Sequence, residues 1–274
     1  MEDNWHNRKK GILVRPGRPA GIVLAFLSLL GCFIQAQQKK PSCKVAIDIG
    51  HTEKAQGATS AHGVGEFVFN RDMAHILVDK LVQDASTDAF ILDGTGKSLK
   101  ERVTPTNLKN ADLLVSIHHD SVQPQYLSKW VYNGAEHSYS DQFNGYSLFI
   151  SRANPHPDQS LTLATDIGSH LLQAGFTRSL HHAENIPGEN RPLIDAKLGI
   201  YQYDDLIILK LPPIPAVLLE CGVIVNRQEE SELSDPNYMK KMAAAVAAGI
   251  EDACGSFASS PPRITPSAMR NSSD

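Results

Sequence analysis

Three runs in this sequence, KVAIDI, LLVSI and AVLL, are short, aliphatic or β-branched, and almost free of polar interruption. Such runs fit parallel strands buried on both faces better than amphipathic ones. AFIL, YSLFIS and LIILK read as further strands. Between them lie segments of helical spacing. Phe69, Met73, Ile76, Leu77 and Leu81 mark a helix over 66–84, a second is expected over 161–174, and a last one opens with Asp235 as N-cap and Pro236 in its first turn and runs through Ala253. The SLKERVTPTNLKNAD stretch serves as a crossover between AFIL and LLVSIH. Alternating strands and helices imply an α/β fold: a single domain with a mostly parallel twisted sheet and helices on both faces.

A chain of 274 residues with 42% hydrophobic content can bury a full core. Its net charge of -4 argues against a nucleic-acid partner, whose phosphates call for a basic surface.

The first 36 residues differ from the rest. Arg8, Lys9, Lys10, Arg15 and Arg18 precede the apolar run IVLAFLSLLGCFI. That run is shorter than the ~20 residues a spanning helix needs, and a basic lead before a short apolar core reads as a secretory signal. Residues 1–36 are therefore expected to be a signal sequence or N-terminal anchor, 37–42 a polar linker, 43–255 the folded domain, and the Ser/Pro-rich 256–274 a disordered tail. Leu29-Leu30-Gly31-Cys32 resembles the lipobox of bacterial lipoproteins, which would attach the chain to the membrane through Cys32. Each version puts the domain outside the cytoplasm, in the periplasm or cell envelope.

In open α/β sheets the ligand site lies beyond the carboxyl ends of the strands. IDIGH delivers His51 to that edge, VSIH delivers His118, and VLLE delivers Glu220. Glu66 opens the first helix on the same edge. Two imidazoles and a carboxylate with a position left for water form a catalytic zinc pattern, and a further carboxylate beside it can take a proton. Spacing alone leaves this set open, since the residues are dispersed and no compact motif such as H-E-x-x-H is present. His62, in the loop that leads to Glu66, is a rival ligand. His6, His75, His137, His156 and His170 read as surface or hydrogen-bonded residues. Of the adjacent His118 and His119 only one can face a given pocket, because neighbouring strand residues point to opposite faces.

The ordered blocks IDIGH, GEFVFN, SLKERVTPTNLKNADLLVSIHHDS, PAVLLECGVIVN and SDPNYMKKMAAAVAAGI resemble the zinc-dependent N-acetylmuramoyl-L-alanine amidases of bacterial cell walls (amidase type 3) from Lys44 to about Cys254. The resemblance implies one Zn2+ per chain on His51, Glu66 and His118, with Glu220 as catalytic base, and it aligns Gly222 and Asn226 with the family's L-x-E-x-G-x-x-x-N block. It also implies peptidoglycan as substrate and the amide between N-acetylmuramic acid and L-alanine as the bond cleaved. Ile49 stands where the family commonly has proline, Thr52 where it has glycine, and His119 and Asp120 where it tends to read Ala-Asn, which marks a divergent branch. His119 is then expected to face away from the metal, and Asp120 to orient a ligating imidazole. The sequence identifies no protein activator. A zinc peptidase acting on stem peptides and a non-catalytic wall-binding module are the alternative readings.

Three further expectations concern the periphery. Residues 122–145 form a long connection whose Tyr126, Trp130, Tyr132, Tyr139 and Phe143 either stack on sugars or build the loop's own small core. Arg191, in the polar HHAENIPGENRPL stretch, is a candidate to clamp a peptide carboxylate, with a structural salt bridge as the alternative. Cys43 precedes the first strand and Cys254 ends the last helix. That helix starts beyond the carboxyl edge and runs back to the edge where the first strand begins, so the two sulfurs can bridge, with Cys221 left as a packing thiol.

Overall fold

The computed structural model describes residues 43–83, 87–92 and 94–259, so the signal, anchor and linker expectations lie outside the described residues. The chain runs through β1 (Cys43–Ile49), α1 (Glu66–Val82), β2 (Thr87–Ile91), α2 (Leu99–Arg102), α3 (Pro105–Leu108) and β3 (Leu113–Asp120). It continues through β4 (Ser128–Tyr132), β5 (Ala135–Tyr139), β6 (Ser147–Ile150), α4 (Pro157–Gln173), β7 (Leu193–Asp195), β8 (Ile200–Gln202) and α5 (Ile207–Lys210). It ends with β9 (Ala216–Val223), α6 (Arg227–Leu233) and α7 (Pro236–Ser259).

Seven strands pair in the order β2-β1-β3-β9-β6-β8-β7. The central pairs β1–β2, β1–β3 and β3–β9 are parallel, as is β6–β8, while β6–β9 and β7–β8 are antiparallel. Because β2 and β3 flank β1 on opposite sides, the winding reverses at β1/β3. Such a reversal opens a crevice at the carboxyl ends of the strands.

The two faces separate by residue parity. Val45, Ile47, Leu113, Val115, Ile117, Val217 and Leu219 join α1, α4 and α7 in the larger core, with Met73, Leu77, Ile167 and Val246. Ala46, Leu114 and Leu218 point the other way, into a thinner layer with Val103, Leu108, Tyr201, Ile208 and Leu209. Continuous apolar runs were required because neither face meets water.

LIILK is not the strand the sequence suggested. Ile207–Lys210 forms the helical turn α5, with Ile208 and Leu209 buried in the thin layer and Ile207 and Leu211 exposed. The following Pro212-Pro213 cannot donate to a ladder, and Asn154 Nδ2 ties the segment down through Leu209 O (2.7 Å) and Ile214 O (3.2 Å). A four-residue apolar run cannot be assigned by periodicity alone.

The connection 122–145 holds a hairpin, β4–β5, turned at Asn133-Gly134 with φ of 49° and 80°. Left-handed backbone at both positions is the Asn-Gly hairpin signature. Its Trp130 and Tyr132 stack at 5.5 Å, and His62 lies edge-on to both at 5.0 and 4.5 Å, so these aromatics pack on one another and on the His62 loop.

Asp235 caps α7 as expected, its Oδ1 accepting from Asn237 N and Tyr238 N. The helix continues past Cys254 to Ser259, into the stretch assigned to the tail, and residues 260–274 lie outside the described residues. Cys43 and Cys254 are bridged, with their Cα atoms 5.8 Å apart, and Cys221 is a buried free thiol.

Candidate active site

Three of the sequence-predicted residues converge at the β1/β3 crevice. His51 follows Gly50 at the end of β1, with a left-handed φ of 66° that turns its ring back over the sheet edge. His118 lies near the end of β3, and Glu66 is the first, buried residue of α1. Glu66 Oε2 is 2.9 Å from His51 Nε2, and its Oε1 is 3.0 Å from His118 Nδ1. The imidazole rings meet edge to face at 5.0 Å. Gly50 is required here, since a Cβ at that position would occupy the space of the His118 ring. Burial by itself would raise the Glu66 pKa, but the His118 and His51 imidazoles hold the carboxyl far below its ordinary value. It is therefore an ionised carboxylate facing two ring nitrogens.

The set is buttressed from behind. Ala58 N and Asn70 Nδ2 donate to the two oxygens of Glu66 at 3.1 and 3.0 Å. Buried Arg102, delivered by α2, donates to His51 O (2.9 Å), Ile49 O (2.9 Å) and Asp48 Oδ1 (3.1 Å), and Ser116 Oγ donates to the other Asp48 oxygen at 2.7 Å. This fixes the backbone of the β1 terminus from which His51 projects.

His119 lies on the opposite face from His118, under α1. It is buried against Phe69, and its Nδ1 is 2.8 Å from Asn70 Oδ1. Burial pulls its imidazole down to about 3, so the ring is neutral. Through Asn70 it supports Glu66 without facing the crevice.

Glu220 is the register partner of His118 on β9. Side chains of paired strand residues leave the sheet on the same face, so its carboxyl stands beside the His51/Glu66/His118 set. Its Oε2 is buried with no hydrogen-bond partner. Burial, then the Asp120 and Glu66 carboxylates, push its pKa well above the ordinary range. A carboxyl in such surroundings is suited to proton transfer.

The downstream motif residues are structural. Asn226 caps α6, its Oδ1 accepting from Gln228 N and Glu229 N (both 3.0 Å), while its Nδ2 donates to Phe143 O. Gly222 leaves room for the buried Glu229 carboxylate, which accepts from Gly145 N and Val223 N at 2.8 Å each. Glu229 carried no signal in the sequence, since an acidic residue in the first turn of a helix is ordinary.

The Asp120 carboxylate pairs with neither His51 nor His118 and faces His181 Nε2 at 3.1 Å and His182 Nε2 at 2.8 Å. These two histidines were passed over in the sequence, where only their adjacency marked them. Burial would raise the Asp120 pKa, but His182 and His181 bring it down to about 2. Burial would depress His182, yet the Asp120 and Glu189 carboxylates take it up to about 10. Arg191 lies over the Tyr203 ring at 3.6 Å, and its Nη2 donates to Gly188 O, an arrangement that is neither a carboxylate pair nor a member of the His51 set. His62 is 2.5 Å from Glu230 Oε2 and does not join the set either.

Comparisons with known proteins give the family. Residues 45–252 match the family model described as N-acetylmuramoyl-L-alanine amidase. This chain belongs to the N-acetylmuramoyl-L-alanine amidase family. It resembles the amidase AmiA of Salmonella typhimurium, at 28% identity over 225 residues, covering 75% of this chain and 74% of that protein. The uncharacterized protein YqiI of Bacillus subtilis is 27% identical over 226 residues, with coverage of 82% and 91%. Among solved structures, the catalytic domain of CwlV, an N-acetylmuramoyl-L-alanine amidase from Bacillus (Paenibacillus) polymyxa var. colistinus, superposes with a TM-score of 0.57 at 25% identity and coverage of 77% and 97%. The amidase Ami1 from Mycobacterium smegmatis shares the fold, with a TM-score of 0.60 at 19% identity and coverage of 80% and 99%. The protein is thus an amidase enzyme of cell-wall type with a doubly covered α/β sheet.

Proposed function

We propose that this amidase is zinc-dependent and hydrolyses the amide between N-acetylmuramic acid and L-alanine of peptidoglycan, outside the cytoplasm. The observation that carries the reading is the convergence of His51 Nε2, Glu66 and His118 Nδ1 beside Glu220. Two imidazole nitrogens and an ionised carboxylate fit the donor set of a catalytic zinc site, and the buried, unpartnered Glu220 Oε2 fits a base waiting for a water or substrate. Zn2+ held by these three residues would polarise the scissile carbonyl and acidify a water.

The remaining chemistry belongs to the chain. Glu220 accepts a proton from the attacking water as its oxygen bonds to the lactyl carbonyl carbon. When the carbon–nitrogen bond breaks, Glu220 returns that proton to the departing L-alanine nitrogen. Products are a lactyl carboxylate on intact sugar and a stem peptide with a free amino terminus. Arg191, half-buried and tied through its backbone N–H to His182 O, remains available to the carboxylates of the stem peptide, with Tyr203 as its platform.

Export is supported by the basic lead and apolar run of residues 1–36 and by the Cys43–Cys254 bridge, since disulfides persist in oxidising compartments. Mass spectrometry of peptidoglycan fragments, digested with and without a zinc chelator, tests the function. Free stem peptide beginning with L-alanine, formed only without chelator, is expected. Cleavage inside the stem would make the protein a peptidase, and unchanged fragments would make it a binding module.

A further inference from the structure

A second constellation of metal-ligating side chains is built around the end of β3. Asp120 lies just past a register irregularity in the β3–β9 pairing, and His181 and His182 come from a single 3-10 turn, His181–Ala183. Their rings are 4.0 Å apart and both are buried, with Phe143 and Phe149 as walls.

Each imidazole uses Nδ1 for an outward anchor. His181 Nδ1 is 2.7 Å from Ser179 Oγ, and His182 Nδ1 is 2.9 Å from Glu189 Oε2. Glu189 is itself held by Gln123 Nε2 at 2.9 Å. Metal-bound histidines are oriented in this way, the far nitrogen fixed by a carboxylate or other polar group. Both Nε2 atoms are then left facing Asp120 Oδ2, at 3.1 and 2.8 Å.

None of these three inner atoms has a hydrogen-bond partner, although all are buried. Without an ion, three buried acceptor atoms can converge here only if a ring also carries a proton on Nε2 toward Asp120, and a divalent cation held by the same three atoms would take the place of that proton. Their separations match those in the first set, where Glu66 oxygens stand 2.9 and 3.0 Å from the two ring nitrogens. Ligand bonds of about 2.0 Å in tetrahedral geometry would place such atoms about 3.3 Å apart, close to both sets.

We propose that Asp120, His181 and His182 form a second Zn2+ site, on the same face of the sheet as His118 and Glu220. Two imidazoles and one carboxylate are a donor set that suits zinc. The site is independent of the ligand assignment at His51, Glu66 and His118.

The full chain, purified and dialysed against trace Zn2+, should hold two zinc ions by elemental mass spectrometry. Asp120→Asn and His182→Gln should each lower this to one, and so should His118→Ala, while Asp120→Asn combined with His118→Ala should hold none. Asp120→Asn is nearly isosteric, and its circular dichroism spectrum separates metal loss from unfolding. Visible absorption of the Co2+-loaded forms should report the two sites separately. The proposal is overturned if the wild type holds one ion that His118→Ala removes and Asp120→Asn keeps. In that case His182 is an imidazolium clamped between Asp120 and Glu189. Two ions retained in both Asp120→Asn and His182→Gln would likewise overturn it.

Discussion

His118 and Glu220 are register partners on neighbouring parallel strands, so a ring nitrogen of the Glu66 set and a carboxyl without a hydrogen-bond partner on Oε2 share one face of the sheet. Because the carboxyl is held by the strand itself, its chemistry can be removed without disturbing its neighbour. Glu220→Gln preserves shape and should keep the zinc content of the wild type while hydrolysis of muropeptides falls on the order of a thousandfold, the range of a positioned general base. Loss of metal together with activity would mean that Glu220 is a ligand and not the base.

His118 and His119 should separate cleanly. His118→Ala removes the proposed ligand from the crevice and should abolish zinc binding at the His51/Glu66 set, with little loss of stability at a half-buried position. His119→Ala leaves Asn70 Oδ1 without its ring partner and opens a cavity beside Phe69. It should cost about 2–3 kcal/mol of stability by the usual cost of a buried unpaired group and a small void, while retaining metal. Urea unfolding and zinc content, measured on both variants, check the pair. The assignment fails if His119→Ala empties the site and His118→Ala does not.

Much of this arrangement was legible in the sequence because the sheet encodes it locally. β1, β3 and β9 are mostly apolar runs, and His51 just beyond β1, His118 among the last residues of β3 and Glu220 in the second half of β9 all follow such a run, which is what marked them as residues of one edge. The opposite facing of His118 and His119 follows from strand period alone. What escaped depends on long-range closure. Asp120 meets histidines some sixty positions away, delivered by a 3-10 turn that has no periodic signature. The Asn133-Gly134 hairpin did carry a local signal, masked by aromatic residues that alternate poorly with polar ones. LIILK became helical because prolines and Asn154, and not its own composition, decide its backbone.

The Cys43–Cys254 bridge ties the start of β1 to α7 across a separation of 211 residues. Closing so long a loop contributes ~5 kcal/mol in the chain-entropy picture. The double variant Cys43→Ser/Cys254→Ser should unfold at markedly lower urea than the oxidised wild type, and reduction of the wild type should reproduce the shift. Cys221 should stay unreactive toward a thiol reagent in the native protein, since burial raises its thiol pKa well above the ordinary value. An unlinked Cys43 peptide in non-reducing maps of exported protein would refute the bridge.

Glu229 gives the fold a pH dependence that can be isolated from catalysis. Burial pushes its carboxyl up to about 7, against the pull of the Val223 and Gly145 N–H groups that donate to it. The folded state therefore binds the proton more tightly than the unfolded chain, whose carboxyl titrates near 4.5. Its contribution is fully present below pH 4.5 and is lost as pH rises toward 7, a change of up to about 3 kcal/mol. Glu229→Gln has no proton to lose and keeps a carbonyl to accept one of the two backbone donors. Urea midpoints between pH 4 and 8 should fall for the wild type relative to this variant, and the pH-dependent part of the gap should vanish only near pH 4. A wild type and variant with parallel midpoints across the whole range would show that Glu229 stays ionised in its pocket, held by the two N–H groups at the foot of α6.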